Sequence, residues 1–318
     1  MVLIFAPIFL NVLLPGKDIR FSGRKMAEGE NLSSGLGLVQ IDEIVRRALA
    51  EDLGWGDVTT ETLLPRDLQG QGTFVVKAGG ILAGVEVARE VFRQVDPEIE
   101  VEVLIQDGSR IQPGDVIARI GGRISSILEA ERTALNFLQR LSGIASETNR
   151  YVEVVKGLPV HIMDTRKTTP GLRLLEKYAV RVGGGKNHRM NLGDGILIKD
   201  NHLAALSSQR LGIRDIIARA RQNASRRLKI EVETKTVSEA VEAAEAGADI
   251  IMLDNMELED MRRAVEMIRG RALIEASGGV TLDRVRAIAE TGVDFISVGA
   301  LTHSVKALDI SLEFEPSF

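Results

Sequence analysis

The residues best suited to chemistry form a group of cations between Asp164 and His202. Eight basic residues stand there against four acidic ones, in a chain whose net charge is −5. The basic residues are Arg166, Lys167, Arg173, Lys177, Arg181, Lys186, Arg189 and Lys199. Arginine binds carboxylate and phosphate through a planar fork, and lysine contributes a compact charge. The segment therefore predicts a ligand that carries several negative charges.

Composition narrows the class of ligand. Nucleic acid is the competing polyanion, but aromatic residues make up only 4% of the chain and no stacking series is interleaved with the cations. The acidic net charge also gives no overall attraction to nucleic acid or to an anionic membrane. The chain has no cysteine, which excludes a thiolate nucleophile and is compatible with a reducing cytoplasm. We expect small-molecule ligands, with neither nucleic acid nor membrane as a partner.

Two carboxylates, Glu233 and Asp254, are expected to face the same ligand. They could stabilise a positively charged transition state, or hold a Mg²⁺ ion that bridges phosphates through water. Of the neighbouring pair Glu231 and Glu233, we assign only Glu233 to the site and interpret Glu231 as facing the other side of its strand.

The elements that must position these residues are six short, apolar, β-branched runs after residue 158. They span 160–164, 195–200, 229–233, 249–253, 272–276 and 294–299. Helical patterns at 238–246, 258–268 and 282–290 separate the later runs, which repeat every 21 to 23 residues. This spacing favours a parallel α/β barrel, in which the active site lies at the carboxyl ends of the strands.

Polar or small residues lie at or just after the end of each of the six runs. They are Asp164, Thr165, Arg166, Lys167, Lys199, Asp200, Glu233, Asp254, Ser277, Gly278, Gly279, Gly299 and Ala300. The last five match the late loops in which many barrels hold a phosphate. A second glycine group, 183–185, precedes His188 and Arg189 and lets the backbone there fold closely around a ligand.

The first half of the chain has a different pattern. It predicts a helix that ends before Gly54, β-rich runs between 72 and 120 around a helix at 85–95, and a long linking helix from about 126 to 156. The apolar run 1–14 is too short to span a bilayer comfortably. The predicted divisions are a disordered or mis-assigned extension (1–37), an N-terminal domain (38–146), a barrel (147–305) and a segment that returns to the N-terminal domain (306–318).

Several motifs together resemble the quinolinate phosphoribosyltransferase family. The longest is DTRKTTPGLRLLEKYAVRVGGGKNHRMNLGDGILIKDNH at 164–202. The others are GDVTT (56–60), ERTALNFLQRLSGIAS (131–146), IEVET (230–234), MLDNM (252–256), EASGGV (275–280) and VGALTHS (298–304). The resemblance covers about residues 40 to 314. Only the first 35 or so residues depart from it.

The resemblance implies a fold, a reaction and an assembly. The fold is an N-terminal α/β sandwich domain followed by a C-terminal open α/β barrel. The reaction joins quinolinate to phosphoribosyl pyrophosphate, with Mg²⁺, and gives nicotinate mononucleotide, pyrophosphate and CO₂ in NAD biosynthesis. The family forms homodimers, or oligomers of dimers, whose sites lie between one subunit's barrel and its partner's N-terminal domain. A cytoplasmic enzyme is expected.

The motifs also imply residue roles. Basic residues lining the anion sites would be Arg132, Arg166, Lys167, His188, Arg189 and Lys199, with Arg132 reaching the partner's site. Glu233 and Asp254 would face the ribose and the metal, with Lys167 and Lys199 completing the catalytic group. Thr165 would join the binding residues, and Ser277, Gly278, Gly279, Gly299 and Ala300 would form phosphate loops.

Other interpretations stay open. Arg173, Lys177 and Arg181 fit the solvated face of a helix and are left out of the site. His202 fits a local hydrogen bond as well as a ligand contact. Two rival functions also fit: a paralogous phosphoribosyltransferase that acts on another base or is associated with metal-cofactor transport, and a non-catalytic protein that retained the anion pocket.

Overall fold

The computed structural model describes residues 35–207 and 211–315. Its helices are α1 (Gly35–Leu53), α2 (Val58–Leu63), α3 (Val85–Val95), α4 (Ile124–Val154), α5 (Arg173–Val182), α6 (Asp200–Ser207), α7 (Ile213–Asn223), α8 (Val237–Glu245), α9 (Leu258–Ile268), α10 (Val285–Ala289) and α11 (Ala300–His303). Its strands are β1 (Gln69–Val76), β2 (Gly80–Ile81), β3 (Glu100–Val103), β4 (Arg110–Ile111), β5 (Val116–Arg123), β6 (His161–Met163), β7 (Ile196–Ile198), β8 (Ile230–Thr234), β9 (Ile250–Asp254), β10 (Leu273–Ser277), β11 (Phe295–Ser297) and β12 (Ile310–Glu315).

The predicted N-terminal extension falls mostly outside the described residues. Residues 1–34 of it are not described, and residues 35–37 belong to the first turn of α1. Within 35–207 and 211–315, no helix combines the length and the apolar composition that a bilayer crossing requires.

The N-terminal domain is an antiparallel sheet covered by helices. Its strand order is β12-β1-β5-β3. Helix α3 is amphipathic, and its buried Phe92 packs on Phe74 of β1 with ring centroids 5.8 Å apart. The carboxylate of Asp107 caps α3 by accepting from the backbone N–H groups of Gly84 (2.8 Å) and Val85 (3.1 Å). The predicted α/β sandwich is confirmed.

Helix α4, 31 residues long, connects this domain to the second. Its buried side includes Leu135, Leu138 and Leu141, which recur at helical spacing. The chain passes close to α4 again before β12 begins. A Cβ on Gly143 would lie 2.2 Å from the carbonyl oxygen of Lys306, so only glycine permits this approach. Strand β12 then pairs with β1 from Gln71↔Glu315 to Val76↔Ile310.

The C-terminal domain is a six-stranded parallel sheet with the order β6-β11-β10-β9-β8-β7. All six predicted runs form its strands. The edge strands β6 and β7 are not paired with each other in the described residues, so the barrel is open. Next to β6, Lys186 makes a single parallel bridge to Met163. Gly247 and Gly292 have φ of 85° and 92° where the chain turns from α8 and α10 into the next strands. The predicted open barrel is confirmed.

Candidate functional site

The carboxyl ends of the six strands bring the predicted residues to one mouth. Ser277, the last residue of β10, is directly opposite Asp254 of β9 in the ladder. The loop after β11 meets the loop after β6, because the Oγ1 of Thr302 donates to the carbonyl oxygen of Lys167 (2.8 Å). A Cβ on Gly299 would lie 3.1 Å from the Cδ of Lys167, so the side chain of this lysine lies against the predicted phosphate loop.

Two guanidinium groups lie close together in this mouth. Burial lowers the pKa of Arg189, and the nearby charge of Arg166 lowers it further. Arg189 donates from Nη1 to the carbonyl oxygen of Gly195 (3.0 Å), whereas the buried Nε of Arg166 has no hydrogen-bond partner in the described residues. Within that part of the chain, neither arginine has a carboxylate within 4.0 Å. The more distant charges of Glu231 and Asp194 oppose this lowering of the pKa of Arg189. Two like charges that lack a direct ion pair favour an anionic ligand.

The predicted carboxylates lie at the neighbouring strand ends. Burial raises the pKa of Glu233, and the charges of Asp254 and Asp200 raise it further, while Lys199 opposes them. Asp200, at the start of α6, pairs with Lys235 (2.9 Å). Carboxylate oxygens are the ligands that Mg²⁺ prefers, and the ion keeps several of its waters. Within the described residues, however, three potential ligand atoms come within 4.8 Å of one another only in the cluster of His188, Glu231 and Glu275. Asp200 comes two residues after β7, so its place behind an apolar run is the signal that identifies it, although it is not among the predicted site residues.

The predicted phosphate loops contain backbone that favours glycine. Gly278 and Gly279 have φ of 88° and 59°. A Cβ on Gly278 would lie 2.4 Å from the Oδ1 of Asn255, whose own φ is 54°. Asn255 donates its backbone N–H to the carbonyl oxygen of Ser277 (2.8 Å), which joins the loops after β9 and β10. Gly299 precedes α11, which starts at Ala300.

Below the mouth, His188 contacts two buried glutamates. Its Nε2 lies 3.1 Å from Glu231 and 3.7 Å from Glu275, and its Nδ1 accepts from the N–H of Arg189 (2.7 Å). Burial alone would lower the pKa of His188, but the hydrogen bond with Glu231 and the charges of both glutamates outweigh it and raise the pKa. Both ring nitrogens therefore have protein partners.

One expectation about this cluster needs correction, and one of its residues was missed. The interpretation of Glu231 as facing away from Glu233 is wrong, because residues two apart on a strand share a face. Both glutamates point into the barrel. Glu275, which lies on the same face of β10 as Ser277, was missed, although the same alternation identifies it.

The buried cluster leads to a prediction about pH and stability. Burial raises the pKa of Glu275 to about 8, and the charge of Glu231 contributes. The folded protein thus binds this proton more tightly than the unfolded chain does. The resulting stability is fully present below the unfolded pKa, about 4.3, and is lost as the pH rises through the folded pKa.

Replacement of Glu275 by glutamine keeps the neutral form at every pH. We expect the melting temperature of Glu275→Gln, relative to the unsubstituted protein, to rise between about pH 5 and about pH 9. Thermal unfolding followed by circular dichroism measures this difference, with Glu259→Gln at an exposed position of α9 as the control. A difference that stays constant or falls across this range would contradict a neutral Glu275.

The interpretation of Lys177 as a solvated cation is also wrong. Its side chain is 0% exposed and pairs with the equally buried Asp164. Arg173 is partly buried and donates to the carbonyl oxygen of Met190 (3.1 Å), whereas Arg181 is exposed, as expected, and donates to the Oδ1 of Asn187 (2.9 Å). For His202, a local hydrogen bond was one of two interpretations. The structure shows this bond, because the Nδ1 of His202 accepts from the N–H of Lys199 (2.9 Å).

Arg132 is set apart from the other predicted residues. It is exposed on α4, eight residues before Arg140, whose Nη2 donates to the carbonyl oxygen of Thr302 at the mouth (2.6 Å). Eight helical residues correspond to about 12 Å along the axis. Next to Arg132, Thr133 donates to Asp52 of α1 (3.3 Å), so this part of α4 belongs to the N-terminal domain.

An open parallel barrel with cations, carboxylates and glycine loops at its strand ends is typical of an enzyme that acts on multiply anionic small molecules. Comparison with known protein families identifies which enzyme family of this class the chain matches. The model of the quinolinate phosphoribosyl transferase C-terminal domain matches residues 144–313, and that of the N-terminal domain matches residues 57–142. The chain belongs to the quinolinate phosphoribosyltransferase family. The two matches meet within α4.

Individual relatives agree with this assignment. The chain is 43% identical over 275 residues to a probable nicotinate-nucleotide pyrophosphorylase [carboxylating] of Bacillus subtilis, covering 86% of this chain and 93% of the relative. It is 42% identical over 291 residues to a mitochondrial quinolinate phosphoribosyltransferase [decarboxylating] of Nicotiana glauca, covering 86% and 82%. The crystal structure of NadC from Streptococcus pyogenes superposes with a TM-score of 0.84 at 44% identity, covering 89% and 100%.

Proposed function

We propose that the chain transfers the phosphoribosyl group of phosphoribosyl pyrophosphate to the ring nitrogen of quinolinate, and that loss of the 2-carboxylate as CO₂ gives nicotinate mononucleotide and pyrophosphate. The observation that carries the proposal is the half-buried pair Arg166 and Arg189, which lies at the same end of the barrel as the strand-end carboxylates Glu233 and Asp254. The first pair suits an anionic acceptor. The second suits a ribose that becomes positively charged.

Each group of residues has a role in this reaction. Arg166 and Arg189 would bind quinolinate carboxylate through their planar forks. The backbone of Ser277, Gly278, Gly279, Gly299 and Ala300, together with Thr165, Lys167 and Lys199, would hold the phosphates. As the bond between ribose and pyrophosphate lengthens, C1 of the ribose gains positive charge, which Glu233 and Asp254 would stabilise. The new bond to the ring nitrogen leaves that nitrogen positive, and this charge stabilises the electron pair that stays on C2 when CO₂ departs. A proton from solvent then adds to C2.

Glu233 and Asp254, with Asp200 beside them, would hold Mg²⁺ directly or through water. When bound, the ion would neutralise charge on the departing pyrophosphate. The carboxylates themselves would keep their oxygens directed at the ribose, since their strand ends are fixed by the ladder between β8, β9 and β10.

Release of CO₂ tests the proposed reaction. Quinolinate labelled at its 2-carboxyl group should release label only when phosphoribosyl pyrophosphate is present, in equal amount to the pyrophosphate formed. The rival non-catalytic protein predicts binding of quinolinate without any release of label.

We also propose a homodimer in which Arg132 reaches the partner's active site. Apolar side chains are exposed near the N-terminal part of α4: Trp55 is 105% exposed, Val58 73% and Leu63 71%. This region lies beside Arg132, because Asp57 and Glu61 act on the pKa of Glu129, three residues away on α4. Exposed apolar patches of this kind mark interaction surfaces. A second copy of the chain would cover these side chains. Arg132 would then reach the active site in the barrel of that second copy.

A mixture of two inactive variants tests the shared site. Arg132→Ala and Glu233→Ala should each be inactive alone, and after co-refolding they should recover up to about one quarter of the activity of the unsubstituted enzyme. The recovery follows because half of the dimers are mixed and each mixed dimer has one intact site. Co-refolding of Glu233→Ala with Asp254→Ala is the control and should recover nothing, because both residues belong to the same barrel. Absence of recovery in the first mixture would contradict the contribution of Arg132 across the interface.

We likewise propose a cytoplasmic location, because a chain without cysteine is compatible with a reducing compartment. Relatives carry mitochondrial and chloroplastic names in Nicotiana glauca and Oryza sativa.

A further inference from the structure

Helix α5 contains two adjacent residues of opposite charge, Glu176 and Lys177, whose side chains are both 0% exposed. Glutamate and lysine are almost never fully buried unless they are paired. Successive helical residues point about 100° apart, so the two side chains face different neighbours. Neither residue belongs to the groups that would touch the substrates.

Glu176 holds the loop that follows β6. Its Oε1 accepts from the Oγ1 of Thr169 (2.7 Å) and its Oε2 accepts from the N–H of the same residue (3.0 Å). Arg140 of α4 donates to Glu176 (2.8 Å) and to the carbonyl oxygen of Thr302 (2.6 Å). Since Thr302 in turn donates to the carbonyl oxygen of Lys167, the loop 165–169 is held at its middle and at its last residue.

Lys177 holds the other cationic loop. Its Nζ donates to the carboxylate of Asp164 and to the carbonyl oxygen of His188 (2.9 Å for the latter). Asp164 also accepts from the N–H of His188 (2.9 Å) and from the Nδ2 of Asn187 (2.5 Å). Burial raises the pKa of Asp164 and lowers that of Lys177, while their attraction opposes both shifts. The loop 186–189 thus depends on this buried ion pair.

In these two loops, side-chain hydrogen bonds take the place of the backbone hydrogen bonds that hold a strand or a helix. Apart from the single bridge at Lys186, neither loop belongs to a regular element. Buried backbone groups need hydrogen-bond partners, and in these loops α5 supplies several of them. Arg166 and Arg189, whose like charges repel, sit on the two loops and stay close only if both loops are held.

We propose that Glu176 and Lys177 are positioning residues for the transfer reaction, which hold the loops 165–169 and 186–189 against α5 so that Arg166 and Arg189 face one anion. This proposal rests on the proposed function. Misplacement of a binding group by about 1 Å can lower a rate about 100-fold, so loosening either loop has a measurable effect.

The test uses Glu176→Gln and Lys177→Met in the full chain. We expect kcat/KM for quinolinate to fall about 10- to 100-fold in each variant, mainly through a higher KM. Amide hydrogen exchange should show which of the two loops each substitution loosens. Glu176→Gln should speed exchange at residues 165–169, including the N–H of Thr169, and Lys177→Met should speed exchange at residues 186–189.

Controls come from an exposed pair at the end of α4, with Glu153 in the helix and Lys156 two residues beyond it. Glu153→Gln and Lys156→Met change the same residue types, at side chains 48% and 73% exposed, and should leave both measurements unchanged. Loss of one partner of a buried ion pair can prevent folding. If Lys177→Met does not fold, Asn187→Ala replaces it for the second loop, and Thr302→Val, with Thr302→Ser as the conservative match, provides an independent variant for the first.

The outcomes separate this proposal from the proposed function. Unchanged KM and local exchange in folded variants of an active enzyme would overturn the positioning role. An unsubstituted protein without any turnover would instead refute the proposed function, and the exchange measurement would still decide whether α5 holds the two loops.

Discussion

Replacement of Arg166 by methionine should lower kcat/KM for quinolinate by about 100- to 10,000-fold. The buried Nε of the half-buried Arg166 has no hydrogen-bond partner in the described residues, and each charge-assisted hydrogen bond contributes about 1.5–3 kcal/mol. Loss of a two-pronged contact therefore costs about 3–6 kcal/mol, at about 1.4 kcal/mol for each tenfold change. Methionine retains the apolar stem but no donor. Steady-state kinetics at saturating phosphoribosyl pyrophosphate measures the effect.

The matched control for Arg166 is Arg263→Met, at an arginine of α9 whose side chain is 61% exposed. Its kinetics should equal those of the unsubstituted enzyme. Kinetics of Arg166→Met within about threefold of the unsubstituted enzyme would show that this guanidinium makes no net contribution to the transition state.

Glu233→Ala should lower kcat by about 100- to 1,000-fold or more, because removal of one preorganised electrostatic group has an effect of this size. Quinolinate binding should change much less, since the carboxylate acts on charge that develops only as the ribose bond breaks. Single-turnover kinetics and calorimetric binding separate the two quantities. Glu259→Ala on α9, with a side chain 77% exposed, is the control. Normal turnover by Glu233→Ala would show that its assigned role is wrong.

Much of the barrel could be predicted because each strand leaves a local signal. A buried parallel strand is a short β-branched run, and the polar residues after it must lie at the same edge as those of its neighbours. Glu233, Asp254 and Ser277 were located in this way. Alternation along a strand is equally local, so the sequence also contained the positions of Glu231 and Glu275 inside the barrel.

The surroundings of α5 could not be predicted from local pattern. Lys177 occurs among charged residues that suit a solvated helical face, and its burial follows from the packing of α5 against α4 and the loop at Asp164. Such contacts join residues that are distant in the chain or that belong to irregular loops. The short helices α2, α6 and α11 were missed for a related reason, since they are too brief to show a helical period.

The most direct test of the proposed reaction compares quinolinate with nicotinate as the acceptor, with phosphoribosyl pyrophosphate and with or without Mg²⁺. We predict that quinolinate with Mg²⁺ yields equal amounts of nicotinate mononucleotide, pyrophosphate and CO₂, and that nicotinate or the omission of Mg²⁺ yields far less product. Preferred turnover of nicotinate, or nucleotide formation without release of CO₂, would contradict the assignment of quinolinate as the substrate.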